Sequence, residues 1–412
     1  MPTVEQTISA ITWLFLEVSI LFLLTVLYRA SRTWFLLQLP ENNWFKRRRM
    51  DPVDASKLVM VTGSTSGIGL AVAKHLHRLG YSVVATYWNT QEAGYSELKR
   101  ISEIKPIDGK AGRLMLMQLD VRDGESISKA YTRLEEILAG DKCLKLFALI
   151  NNAGVGSLQP FPWLQRATMR NIIDTNLMGN LLMVREFLPL LIEAGGTAKI
   201  NRSASKSRIL FVSSGLGLVP GPTYATYGLT KAAQIYLTKC LNLELKRDFG
   251  VQCVAVIPHN FIKNTNICSQ NLKNNQSAWN ELRPKEKSIY NKSFHEHMEL
   301  SKSLEKATRT HPTSDKSCEN GGCLSRGRGQ ISKILSFIEK LLASLRGENR
   351  AINLDESGLL EGFELALRLK NPPELIFAGD TVFQLIIGSL LSILPSSLSG
   401  LLSETVAPNL YR

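Results

Sequence analysis

From residue 57 to about 262, apolar runs of strand length alternate with helix-period segments, and few folds accept that alternation. The runs are Leu58–Thr62, Ser82–Thr86, Arg113–Leu119, Leu146–Ile150, Ile209–Ser213 and Val251–Ile257. Helical patterns lie between them near 68–79, 125–138, 167–194 and 225–247. Short continuous apolar runs mark strands covered on both faces, the condition of a parallel sheet. Repeated strand–helix units then close through right-handed crossovers into a doubly wound parallel α/β sheet of the Rossmann kind.

The flanks read differently. Residues from about Ile8 to Tyr28 are mostly apolar, with Glu17 the sole charge. As a helix that length spans a bilayer core of about 30 Å, and Trp13, Tyr28 and Trp34 suit its interfaces. Glu17 is costly at that depth and implies tilt or a partner. Arg29, Arg32 and the run Lys46-Arg47-Arg48-Arg49 follow the segment and no Lys or Arg precedes it. The expected topology is therefore an N-terminal transmembrane helix with the remaining chain in the cytosol. A cleaved signal peptide or mitochondrial presequence fits less well, because a basic leader region is missing. Sequons at Asn201, Asn275 and Asn291 offer a test, since a luminal domain would carry glycans.

The net charge of +13 concentrates at 46–49, in the 198–208 loop and in 302–350. With no nucleic-acid motif, an anionic membrane surface or a solvated basic face accounts for it. The six cysteines include no CxxC pair and read as reduced thiols, and the six histidines lack metal-ligand spacing. Beyond 262, one or two helices are expected over 264–306, with Trp279, Tyr290, Phe294 and Met298. A polar, glycine-rich loop over 307–330 leads into a basic amphipathic helix. A helix at Leu359–Leu369 and a last strand at Glu374–Ala378 follow. Thr381–Leu394 is apolar but short for a span, which favours a buried or interfacial helix. The expected division is 1–50 anchor and basic linker, 51–263 nucleotide-binding catalytic domain, 264–306 substrate lid, 307–350 flexible basic insertion, and 351–412 C-terminal helices, last strand and apolar tail.

Two motifs carry chemistry. Thr62-Gly63-Ser64-Thr65-Ser66-Gly67-Ile68-Gly69 follows the first strand and opens a helix. Gly63 permits the tight turn, and Gly67 and Gly69 let backbone N–H groups approach a pyrophosphate at the positive helix end. Further on, Tyr227 and Lys231 stand four residues apart on one helix face. There an ammonium lowers a phenol's pKa toward working pH. A proton relay beside a nucleotide site points to hydride transfer between a nicotinamide and an alcohol or carbonyl carbon.

These two motifs, together with Asn151-Asn152-Ala153-Gly154 and Ser214, resemble in order and spacing the short-chain dehydrogenase/reductase family over residues 57–262. Ala73-Lys74-His75-Leu76-His77, Asn260-Phe261-Ile262, Tyr290 with Phe294, and Leu394-Pro395 are similar to its membrane-associated branch acting on hydroxysteroids, retinol and D-β-hydroxybutyrate. The resemblance implies a single-domain Rossmann enzyme with Tyr227 as acid/base. Lys231 tunes that phenol and bonds the nicotinamide ribose. Ser214 holds the substrate oxygen, with Ser213 as a rival, and Asn176 supports a water relay. Plainer readings are a helix polar residue for Asn176 and a strand-end cap for Asp120. It further implies that Gly63, Thr65, Ser66, Gly67, Ile68, Gly69, Tyr87, Asp120, Val121, Asn152, Ala153, Gly154 and Pro258 line the cofactor.

NAD is the expected cofactor, with NADP left open. The second strand ends in Tyr87-Trp88-Asn89, with neither an acid for a ribose hydroxyl nor a nearby Arg or Lys for a 2′-phosphate. The expected substrate is a lipophilic secondary alcohol or ketone, steroid- or retinoid-like; the alternatives are D-3-hydroxybutyrate or a non-catalytic nucleotide-binding membrane scaffold. The family pattern further implies a dimer or tetramer formed through the helices near 167–194 and 225–247. The expected location is the endoplasmic reticulum membrane, with a mitochondrial membrane as alternative. Three features depart from the family: Pro258-His259 in place of Pro-Gly, the 307–350 insertion and the basic 195–207 loop.

Overall fold

The computed structural model describes residues 50–104, 112–195, 206–218, 220–258, 271–309 and 358–378. Seven strands form one sheet: β1 Lys57–Val61, β2 Ser82–Tyr87, β3 Leu114–Gln118, β4 Lys145–Asn151, β5 Ser207–Val212, β6 Val251–Pro258 and β7 Leu375–Ala378. Their spatial order is β3-β2-β1-β4-β5-β6-β7, and every pairing is parallel. The helices are α1 Gly67–Leu79, α2 Tyr95–Ser102, α3 Gly124–Gly140, α4 Arg166–Ile173, α5 Gly179–Gly195, α6 Ala225–Leu245, α7 Asn271–Glu281, α8 Pro284–Arg309 and α9 Gly358–Arg368.

The apolar continuity of the strands follows from burial on both faces. In β1, Val59 and Val61 point into a core shared with Val72 and Leu76 of α1 and Phe363 of α9. Leu58 and Met60 point the other way, toward Leu134 of α3 and Phe187 and Leu191 of α5. Each such side chain contributes about 1.5–3 kcal/mol on burial. The six strands expected over 57–262 form within a residue or two of their expected places, and the last strand joins the same sheet beside β6. The sequence reading did not include α2.

One helix was expected over 167–194. Instead, α4 and α5 are joined by a π turn, Asp174–Met178. One residue too many for α spacing is wound in there. Such a turn leaves a carbonyl without its helical partner and often marks a functional site.

Strand order reverses between β1 and β4, which opens a crevice at the carboxyl ends of the strands. The loops after β1, β4, β5 and β6 meet at that end. The opposite end is stapled. Met50 bridges Leu369, the Asp51 N–H donates to the Arg368 carbonyl, and buried Arg208 donates to the carbonyls of Ala366 and Leu369. A small separate core covers the crevice side, built from Trp163, Ala278, Phe294 and Met298, with Trp279 stacked 4.1 Å from Phe294.

Among the described residues no helix is long and apolar enough to cross a membrane. The expected anchor at 8–28, most of the 307–350 insertion and the apolar run 381–394 lie outside the described residues. Of the sequons, Asn291 is exposed, Asn201 lies outside the described residues, and Asn275 is fully buried with its amide donating to the Leu158 carbonyl. A folded domain offers no glycan acceptor at Asn275, so that sequon does not report on topology.

Candidate active site

The glycine loop is built as its pattern requires. Gly63 and Gly67 take positive φ, +66° and +50°, a conformation that strains any residue with a Cβ. Gly69 lies against the loop so closely that a Cβ there would stand 2.1 Å from the Gly63 carbonyl oxygen. Ser66, exposed, occupies the N-cap of α1 in extended conformation without a side-chain capping bond, and no acidic residue stands in the first turn. The positive end of a 13-residue helix thus faces the crevice, which suits a pyrophosphate.

Thr65 differs from its neighbours. It is buried, and its hydroxyl donates to the Glu92 carboxylate, while its carbonyl accepts from Gly94. It braces the loop.

The loop after β4 is tied to the loop after β1. The Asn152 amide donates to the carbonyls of Thr62 and Gly63, at 2.9 and 3.0 Å. Thr62 Oγ1 accepts from the Asn152 and Ala153 N–H groups, both at 2.9 Å. Thr86 Oγ1 accepts from the Gly63 N–H at 3.1 Å. Sequence reasoning did not single out Thr62, Thr86 or Glu92; buried threonines at strand ends beside a glycine loop are the signal that would have found them.

At the far side of the crevice, Tyr87 ends β2 with its ring 4.8 Å edge-on from Tyr95. Asp120 and Val121 follow β3. Arg122 binds both Asp120 oxygens, at 3.0 and 2.7 Å, and this hydrogen bonding holds the Asp120 carboxyl below the usual carboxylate range. The same guanidinium lies 5.6 Å from the exposed Trp88 ring. No basic residue is near Trp88 along the chain, but the fold brings Arg122 there from the end of β3.

The residues expected to handle the proton gather where β5 meets α6. Ser213 and Ser214 separate cleanly. Ser213 is buried and its hydroxyl donates to the Lys231 carbonyl at 2.8 Å. Ser214 is half-buried and its oxygen accepts from the Leu216 N–H at 3.2 Å, a role that uses a lone pair and not the O–H. The turn after it, Gly215–Gly217, packs on α6, where a Cβ on Gly217 would stand 2.7 Å from the Lys231 carbonyl carbon.

Lys231 is only 4% exposed. Its ammonium lies 5.5 Å from the Tyr227 ring centroid and donates to the Val212 carbonyl at 2.7 Å and to Gln234 Oε1 at 3.4 Å. Burial pushes its pKa down to about 7, because desolvation disfavours the charged form. Gly154 caps this group, and a Cβ there would fall 3.7 Å from Lys231 Nζ.

Asn176 sits in the π turn with no exposure. Its side chain accepts from the Val155 N–H at 2.8 Å and donates to the Val155 carbonyl at 2.9 Å and to Thr230 Oγ1 at 3.2 Å. Its backbone carbonyl accepts from Asn180 and Gln234. It therefore couples the β4 loop to α6 as well as occupying a helix. Pro258 closes β6 in register with Ala378. His259 lies outside the described residues.

A short chain dehydrogenase family model matches residues 57–275. Mitochondrial D-beta-hydroxybutyrate dehydrogenase of Rattus norvegicus is 32% identical over 219 residues, covering 52% of this chain and 57% of that protein. Estradiol 17-beta-dehydrogenase 2 of Mus musculus is 32% identical over 269 residues, covering 64% and 60%. The matches thus span less than two thirds of these relatives' own length. A dehydrogenase/reductase structure from Sinorhizobium meliloti is 28% identical, covering 52% of this chain and 74% of that one, with a TM-score of 0.42. A matched span that starts with β1, passes through the glycine loop, Asn152, Asn176, Ser214, Tyr227 and Lys231, and ends in α7 makes this chain a member of the short-chain dehydrogenase family.

Proposed function

We propose that the protein is a nicotinamide-dependent oxidoreductase interconverting a lipophilic secondary alcohol, steroid- or retinoid-like, with its ketone or aldehyde. The observation that carries this is the buried Lys231 ammonium 5.5 Å from the Tyr227 ring, in a fold whose first helix opens with an uncapped, acid-free N-terminus after the glycine loop. Bound NAD supplies the hydride acceptor, and NADP is the second candidate. Gly63, Ser66, Gly67, Ile68 and Gly69 would hold its pyrophosphate, while Thr65 would act from behind the loop. Tyr87, Asp120, Val121, Asn152, Ala153 and Gly154 would line the adenosine half, and Pro258 the nicotinamide.

In oxidation, Tyr227 as phenolate accepts the substrate's hydroxyl proton, and Ser214 donates to the substrate oxygen and fixes its angle. Positioned acid/base groups of this kind contribute about 10²–10⁴-fold. Lys231 in its charged form stabilises the phenolate, and Asn176 holds α6 against the β4 loop.

The likeness to an estradiol dehydrogenase supports a hydrophobic substrate. The likeness to a hydroxybutyrate dehydrogenase supports a small polar one as the second reading. Membrane attachment at the endoplasmic reticulum or mitochondrion and homo-oligomerisation through α5 and α6 complete the proposal. The test is NADH formation by the full chain in lipid with a 17β-hydroxysteroid, an 11β-hydroxysteroid, retinol and 3-hydroxybutyrate, beside Tyr227→Phe. Turnover of a lipophilic alcohol that disappears in the variant, with nucleotide binding retained, is expected. Turnover of 3-hydroxybutyrate alone selects the second reading. Nucleotide binding without turnover of any of them refutes both and favours a scaffold.

A further inference from the structure

Burial sets a difficulty for the proposed relay. Lys231 helps the phenolate only while it is charged, and its surroundings, with a pKa pushed down to about 7, favour the neutral amine. Tyr227 is the titratable group facing it on α6; β5 contributes the Val212 carbonyl, and among the described residues burial is the one cause that moves this pKa. What opposes burial is hydrogen bonding to the charged form. Of the two acceptors, the Val212 carbonyl belongs to the sheet. The other is a side chain one helical turn beyond Lys231.

Gln234 is 1% exposed. Its Oε1 accepts from Lys231 Nζ at 3.4 Å, and its Nε2 donates to the Asn176 carbonyl at 2.7 Å. The partners fix the orientation of the carboxamide: an ammonium only donates and a carbonyl only accepts. The Asn176 carbonyl lies within the π turn, a deviation that often marks a functional site, and it accepts from Asn180 Nδ2 at 2.8 Å as well as from Gln234. A carboxamide buried on a helix face that otherwise packs on the sheet is costly unless both its ends are met, and here both are.

We infer that Gln234 is a positioning residue for the proposed relay, holding the Lys231 ammonium charged and beneath Tyr227 by anchoring it to the π-turn carbonyl of Asn176. The inference rests on the reading of Tyr227 and Lys231 as that relay.

The test titrates Lys231 in the full chain, following its ¹³Cε NMR resonance, assigned through its loss in Lys231→Arg. Gln234→Leu removes the acceptor and Gln234→Glu replaces it with an anionic one. The Lys231 midpoint is expected to fall by about one unit in the leucine variant and to rise in the glutamate variant. The acid limb of alcohol oxidation moves to higher pH in Gln234→Leu, because the phenolate loses its charged neighbour. A merely structural role would lower the rate without moving either midpoint. Midpoints unchanged in the folded variants overturn the inference. A Lys231 midpoint that moves while the acid limb stays upholds the tether and overturns the relay reading.

Discussion

Replacing Gly69 by Ala tests the glycine loop most directly, because two opposing terms have known size. In a helix interior, Gly→Ala ordinarily stabilises by about 1 kcal/mol. At position 69 the added Cβ would stand 2.1 Å from the Gly63 carbonyl oxygen and 2.4 Å from Asn152 Nδ2. The first is backbone and cannot swing away. The second is the donor that ties the β1 loop to the β4 loop through Thr62 and Gly63. Either α1 withdraws from the loop or Asn152 gives up both bonds. Overpacking costs about 1–3 kcal/mol, and each lost bond about 1 kcal/mol. The net expectation is a loss of about 2–4 kcal/mol. Gly124→Ala is the control, also in a helix, where a Cβ would meet nothing within 4 Å; it should be neutral or stabilising by up to about 1 kcal/mol. Urea unfolding followed by circular dichroism measures both, and NADH fluorescence titration measures the accompanying loss of nucleotide affinity. A Gly69→Ala protein with wild-type midpoint and wild-type affinity would refute the tight α1–loop contact.

Three further outcomes follow from named contacts. Asp120→Ala releases two of the Arg122 guanidinium's bonds beside Trp88, leaving the one to Asn171 Oδ1 at 3.0 Å; the NADP to NAD ratio of kcat/KM should rise by about five- to tenfold, and an unchanged ratio would place Arg122 away from the ribose 2′ position. Lys231 has a folded pKa near 7, depressed from 10.5, so between those values the unfolded chain holds a proton the folded one has released, and stability rises with pH. The unfolding free energy of the wild type relative to Lys231→Met should therefore increase by about 2 kcal/mol from pH 7 to pH 9 in urea titrations; a difference independent of pH would contradict the burial argument. Leu229, Tyr236 and Leu243 lie seven residues apart on α6 and are 61%, 72% and 85% exposed; Leu243→Glu should halve or quarter the mass measured by light scattering in detergent, and an unchanged mass would exclude this face as the interface.

The sheet was legible because parallel strands buried on both faces carry their signal locally, as Leu58 to Val61 do in four consecutive apolar residues. Tyr227, Lys231 and the glycines were legible because helix spacing and strand–turn–helix context are also local. What stayed hidden depends on contacts between distant segments. Arg122 reaches Trp88 only after β2 and β3 pair, and Thr65 turns to Glu92, 27 residues on. Family spacing favours Ser214 over Ser213 as the substrate-facing serine, and spacing alone does not reveal that the Ser213 hydroxyl is taken by the Lys231 carbonyl. The π turn escaped periodicity because one inserted residue barely disturbs an apolar stripe. Gln234 carried a faint signal, a polar residue three positions after Lys231 on a face meant for the sheet, and only the Asn176 carbonyl gives that signal meaning.

The two ends of the described fold leave the sheet at opposite poles, and this bears on the proposed membrane arrangement. Met50 pairs with Leu369 at the amino ends of the strands, whereas Ala378 pairs with Pro258 at the carboxyl ends, beside the crevice. A linker over 29–49, fully extended, reaches about 70 Å. With the proposed anchor ahead of it, such a linker would tether the domain to a bilayer without choosing which face meets it. The chain after Ala378 starts instead at the mouth of the site, on the same side as Trp163 and the α7 and α8 side chains packed against it. In the proposed arrangement, orientation of the crevice toward lipid would therefore fall to the chain after Ala378 together with α7 and α8, and the N-terminal segment would contribute attachment. The same reasoning explains why a short apolar tail suffices in the proposal: it has only to lie in the interface, where about 10 Å of immersion satisfies an amphipathic segment, and need not span.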